Sequence, residues 1–98
     1  MTLEFTEAAV LDLQSIRNYT LERWGEEQEQ TYLDGLWDRF GQIKEDPERW
    51  RTREDLFPGC RIAVQEQHVI LFSLKDDVLQ IVRILHGAMD FQRHLTEE

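Results

Sequence analysis

Val78-Leu79-Gln80-Ile81-Val82-Arg83-Ile84-Leu85-His86-Gly87 decides the fold. Apolar residues occupy both alternating positions, interrupted at Gln80 and Arg83, so the run reads as a strand with two dry faces. Working backwards, Val69 to Leu74 has the same character apart from Ser73. Cys60 to Glu66 alternates, with Cys60, Ile62 and Val64 on one side. The turns at Glu66-Gln67 and Asp76-Asp77 are too short for a crossover, so the three strands form an antiparallel meander.

Upstream the period changes. Thr2 to Thr6 alternates, with Leu3 and Phe5 on one side of a short half-buried strand. Thr6 suits a helix N-cap, with Glu7 favourably placed against the first-turn dipole. Ala9, Leu13, Ile16, Thr20 and Trp24 recur every three or four residues, with Val10 and Tyr19 beside them, predicting a helix over 7–24. Gly25 supplies the residue past its end. A second helix starts near Glu26, buries Leu33, Leu36, Trp37, Phe40 and Ile43, and stops at Asp46-Pro47. So short a connection makes the two helices an antiparallel hairpin. Gly35 and Gly41 inside the second helix point to close packing on its neighbours. Residues 47–59 read as a polar, arginine-bearing loop, and Ala88 to Leu95 as a helical turn or tail.

The expected architecture is α+β in the order β-α-α-β-β-β(-α): one domain over 1–98, with an antiparallel sheet packed on one face by the helical hairpin. One hairpin covers one sheet face. Val69, Leu71, Leu79, Ile81 and Leu85 leave apolar surface for a second face, which calls for self-association or another polypeptide as cover.

Composition narrows the function. With 41% hydrophobic and 32% charged residues the 98-residue chain is a folded domain with a modest core. Twenty acids against 11 bases give a net charge of -9, which disfavours broad attraction to nucleic acid. No apolar stretch is long enough to cross a bilayer, and Met1 to Phe5 lacks the pattern of a signal peptide, so a cytoplasmic location is expected. A single cysteine, Cys60, cannot form an internal disulfide, and its register predicts burial and a raised thiol pKa. His68, His86, His94 and Cys60 match no zinc spacing; no metal and no cofactor is expected. Gly-rich phosphate loops, G-x-S-x-G elbows and H-E-x-x-H are absent from the sequence.

Three residues stand out as candidates for contact with a target: Arg61, Arg83 and His86. A guanidinium on a dry strand needs a carboxylate, a carbonyl or a partner. Arg83 either forms an internal ion pair, with Asp90 the candidate, or meets a target. Arg61 opens its strand on the face opposite Cys60, Ile62 and Val64, and His86 either caps the strand end or acts chemically. Arg49, Arg51 and Arg53 around Trp50 could clamp a nucleic acid, or form a solvated loop with Glu48, Glu54 and Asp55.

The opening strand into Glu7-Ala8-Ala9, then Tyr19 to Gly25, Tyr32, Asp46-Pro47, Leu56-Phe57-Pro58-Gly59-Cys60-Arg61 and Arg83-Ile84-Leu85-His86-Gly87 with Asp90 come in an order that resembles the ParE branch of the RelE/ParE family, toxins of type II toxin–antitoxin pairs. The likeness spans nearly the whole chain. It implies the fold above and a non-enzymatic inhibitor of DNA gyrase that blocks replication. It also implies neutralisation by a cognate ParD-like antitoxin, whose amphipathic segment would use Val69, Leu71, Leu79, Ile81 and Leu85. RelE-like relatives instead cut messenger RNA on the ribosome with basic residues on the sheet and a tyrosine or histidine near the carboxyl terminus. Here Arg61 and Arg83 lie on matching strands, but the tail has no tyrosine and Val69 to Leu74 has no base. Ribosome-dependent cleavage is therefore the alternative, and a decayed toxin that only binds its antitoxin is a third reading.

Overall fold

The computed structural model describes residues 1–87 and 91–96. Strand β1 (Thr2–Phe5) leads into helix α1 (Glu7–Trp24) and helix α2 (Glu26–Glu45). A 3-10 turn (Pro47–Arg49) and a two-residue strand, β2 (Arg51–Thr52), follow. The meander is β3 (Arg61–Gln65), β4 (His68–Lys75) and β5 (Val78–His86), and α3 (Phe91–Thr96) comes last.

Local chemistry sets the helix ends. Thr6 Oγ1 accepts from the Ala9 amide at 3.0 Å and donates to the Val82 carbonyl at 2.7 Å, so one hydroxyl both caps α1 and ties it to β5. Gly25 adopts φ 90°, closing α1 through its amide to the Leu21 carbonyl at 3.0 Å while its own carbonyl starts α2. A side chain there would be strained. The hairpin therefore turns in a single residue.

The sheet runs β1-β5-β4-β3-β2. It is antiparallel from β5 to β2, as expected for the meander, but β1 joins β5 in parallel, with Leu3 opposite Leu79 and Phe5 opposite Ile81. The hairpin returns the chain across the sheet, so β1 and β5 leave in the same direction. Strand β2 escaped the sequence reading because two residues carry no periodicity.

Leu71 pairs with Arg83, while Phe72 pairs with Ile81. Val82 is therefore the extra residue of a β-bulge. The bulge explains the doubly apolar appearance of β5. Ile81 and Ile84, three positions apart, both face the hairpin core with Leu79, Ile70, Phe72 and Ala63, against Ala9, Ile16, Leu36, Phe40 and Ile43. Trp37, expected in the buried stripe, is half out of the core and packs edge-on against Phe5 and Phe40. Val10, Tyr19 and Trp24, expected on or beside the apolar face of α1, are exposed.

The second sheet face is largely covered by the chain itself, with Val64 of β3 left 55% exposed. Val69, Leu71 and Leu85 are buried there with Cys60 and Leu56, and Phe57, Ile62, Phe91 and Leu95 pack against them. Leu79 and Ile81 lie on the opposite face, beneath the helices. All five residues expected to await a partner are thus covered by the chain itself: Val69, Leu71 and Leu85 by the 53–60 loop and α3, Leu79 and Ile81 by the hairpin. Leu56, Phe57, Phe91 and Leu95 sit in polar segments, where no periodicity marks them as cover for the sheet. Among the described residues no helix is long and apolar enough to cross a membrane.

The two helix glycines differ. A Cβ on Gly35 would meet Gln65 Nε2 at 2.8 Å, whereas one on Gly41 meets nothing within 4 Å. Gly41→Ala is expected to raise stability by about 1 kcal/mol in urea denaturation, from helix propensity alone. Gly35→Ala gains less, because the Gln65 amide must move.

Candidate functional site

Arg83 is committed internally. Its Nε and Nη2 meet Asp12 Oδ2 and Oδ1 at 2.8 and 2.9 Å, a two-pronged pairing between β5 and α1, and Nη1 donates to the His94 carbonyl at 3.1 Å. Asp12 Oδ2 also accepts from the Ile84 amide at 2.9 Å. Beyond Phe5 strand β1 has ended, and Asp12 takes its place as acceptor along β5. Both side chains are 14% exposed, so the pair is largely shielded from water. Asp90, the partner expected from sequence, lies outside the described residues. Nothing in the sequence marked Asp12, 71 positions away.

Arg61 is also occupied. Its Nη1 donates to the carbonyls of Glu48 at 2.9 Å and Trp50 at 2.7 Å, fastening the 3-10 turn and β2 to the hairpin side of the sheet. Around it, Arg49 and Arg39 lie over the Trp50 ring at 4.7 and 5.6 Å, and Arg53 pairs with Asp55 at 2.9 Å. The solvated-loop reading describes this cluster, with Trp50 as its anchor.

His86 faces His68 across the β4–β5 pairing, the rings meeting edge-on at 5.7 Å. Tyr32 of α2 meets His68 in turn, its hydroxyl hydrogen-bonded to Nδ1. Burial raises the Tyr32 pKa above its ordinary 10.0, so the phenol keeps its proton and donates. Burial, helped by His86, lowers the His68 pKa below 6.5, with Asp12 opposing. His68 is therefore neutral at pH 7, and its Nδ1 shares a hydrogen bond with the Tyr32 hydroxyl, which also lies 3.4 Å from the Gln65 carbonyl. An imidazole so engaged is a hydrogen-bonding wall and a poor general base. Sequence reasoning missed Tyr32 as a partner because it lies 36 positions from His68.

Tyr32 and His68 line a groove of about 610 Å³ between the hairpin and the β3–β4 turn, with Tyr19, Trp24, Gln65 and Glu66 on its walls. Gly35 shapes it by letting Gln65 lie against α2. On the far side of the hairpin Arg17 Nε holds the largely buried carboxylate of Glu29 at 2.6 Å, stapling α1 to α2. Cys60 is fully buried and its thiol is pushed up to about 11 by desolvation, which makes it inert at neutral pH. Among the described residues no group of three or more His, Cys, Asp or Glu could hold a metal ion.

Two outcomes test this geometry. Asp12→Ala leaves a shielded guanidinium and the Ile84 amide without their acceptor, and is expected to cost about 3 kcal/mol in chemical denaturation; Asp55→Ala, at the exposed Arg53 pair, leaves the midpoint in place. For His68 the unfolded imidazole takes up a proton near 6.5, the folded one only at lower pH. Its contribution is intact above about 6.5 and is lost as pH falls towards the folded value. Denaturation followed between pH 7.5 and 5.5 should show a shallower acid loss in His68→Gln than in the parent.

The likeness to known proteins agrees with this frame. The family model described as the ParE toxin of type II toxin–antitoxin system, parDE, matches residues 3–91. Toxin ParE1 of Caulobacter vibrioides is 33% identical over 87 residues, covering 89% of this chain and 90% of the relative. Toxin ParE1 of Mycobacterium tuberculosis is 29% identical over 89 residues, covering 90% and 91%. A solved chain from the chromosomal ParDE system of P. aeruginosa superposes with a TM-score of 0.76 at 23% identity, covering 88% of this chain and 95% of that one, and so shares the fold. With an antiparallel meander backed by a helical hairpin and nearly every residue inside the match, the chain belongs to the ParE toxin family of type II toxin–antitoxin systems.

Proposed function

We propose that the protein is a toxin that acts by binding, arresting DNA gyrase and so blocking replication and growth, and that it is not an enzyme. One observation carries the choice against RNA cleavage: Arg61 and Arg83, the arginines of the meander, are consumed by the fold, which leaves the exposed Arg51 on the two-residue edge strand β2. Arg61 holds two backbone carbonyls and Arg83 holds Asp12 and the His94 carbonyl. Cleaving a phosphodiester needs cations aimed at the charge that develops on phosphate, together with a proton-transfer group of suitable pKa. The Tyr32–His68 pair supplies a neutral imidazole whose Nδ1 is already filled. His86, a candidate for target contact, belongs to this aromatic cluster.

A cognate ParD-like antitoxin is the partner that family membership supports. Its amphipathic segment would compete with α3 for Val69, Leu71 and Leu85, because a six-residue helix is the least costly cover to displace. Leu79 and Ile81 stay beneath the hairpin and take no part, a revision of the five-residue surface expected from sequence.

Purified protein added to gyrase and supercoiled plasmid should give linear DNA after detergent and protease treatment, and antitoxin should abolish it. Codon-specific cuts in ribosome-bound messages with gyrase untouched would reverse the assignment. Tyr32→Phe and His68→Gln should keep growth inhibition within about threefold, far short of the roughly 10²–10⁴-fold that loss of a general acid or base costs.

A further inference from the structure

We propose that the groove between the hairpin tip and the β3–β4 turn is a docking site for an arginine or lysine side chain carried on a basic segment of a partner polypeptide. Such docking does not depend on which target the toxin arrests. Two of the walls are large aromatic side chains left in water: Trp24 is 65% exposed and Tyr19 58%. A domain this small gains nothing for its own core from them, and their faces attract cations. The chain already shows the contact in miniature, with the Arg23 guanidinium lying 5.6 Å from the centre of the Tyr19 ring.

The electrostatics point the same way. Glu66 is the one group with a formal charge at neutral pH among the residues that line the groove; the others are aromatic, hydroxyl or amide, with His68. His68 is held neutral by burial, and the two guanidinium groups at the groove's edge are already engaged, Arg39 with Gln65 and Gln42 and Arg23 over Tyr19. Glu66 stands at the β3–β4 turn, where its backbone adopts a φ of 53° and its carboxylate lines the groove. At long range the net charge of -9 draws basic segments and repels acidic ones. The groove, about 610 Å³ and open to solvent, has room for a long side chain together with the apolar neighbours that a polypeptide brings. The acids around Arg17 on the far side of the hairpin lack such rings, and Arg17 already neutralises Glu29.

The test is a heteronuclear NMR titration of the whole protein with N-acetyl-arginine amide, with N-acetyl-citrulline amide as the uncharged isostere. The arginine derivative should shift the Trp24 indole N–H and the Glu66 backbone amide saturably, and citrulline should not. Glu66→Gln and Tyr19→Leu, both at exposed positions, should each weaken the arginine response by about two- to fivefold, the worth of one exposed cation–π or ionic contact. Equal responses to arginine and citrulline would overturn the proposal, as would shifts centred on Glu26 to Glu29. Tighter binding of tetramethylammonium than of the arginine derivative would overturn the polypeptide assignment in favour of a small cation.

Discussion

The structure turns on the pairing of Asp12 with Arg83. Three elements meet at that contact: Asp12 belongs to α1, Arg83 and the Ile84 amide to β5, and the His94 carbonyl to α3. β1 pairs with β5 only as far as Ile81, and the strand beyond would present unpaired backbone to solvent. The Asp12 carboxylate closes that edge. The same guanidinium holds the backbone of α3, so one ion pair fastens the helix on one face and the cover on the other. A mostly shielded pair of this kind adds specificity of arrangement more than net stability, since desolvation offsets much of the attraction.

Function then follows from what the fold has already used. The meander carries two arginines, and free guanidinium groups there could stabilise the charge that develops on a phosphate during cleavage. Here both are spent on backbone carbonyls and on Asp12, and the buried thiol of Cys60 is inert. What remains open to a partner is the hairpin tip, with the exposed rings of Tyr19 and Trp24, and the groove beside it. Such open surface suits the proposed action of the toxin, which is to bind another protein.

Local signals made most of the fold legible. The N-cap at Thr6, the single-residue turn at Gly25, the stop at Asp46-Pro47 and the two tight strand turns all follow from residue chemistry within a few positions. The changes of period between those landmarks give the order of the elements. The missing parts are non-local. A bulge at Val82 shifts Ile84 onto the same face as Ile81, and a strict two-residue period assigns them opposite faces. The cover of the second face comes from Leu56, Phe57, Phe91 and Leu95, isolated apolar residues in polar surroundings that no periodicity flags. Asp12 and Tyr32 read as ordinary helix residues until the fold brings them to Arg83 and His68. Of the candidate residues, Arg61 and Arg83 hold the structure together and His86 meets His68 edge-on.

The central claim is that the chain covers most of its own second sheet face. Methyl–aromatic nuclear Overhauser effects in the isolated protein test it most directly. The account predicts strong cross-peaks from the Phe91 ring and the Leu95 methyls to the methyls of Leu71 and Leu85, with no partner present. Sharp Phe91 resonances at random-coil shifts, lacking those cross-peaks, would contradict it.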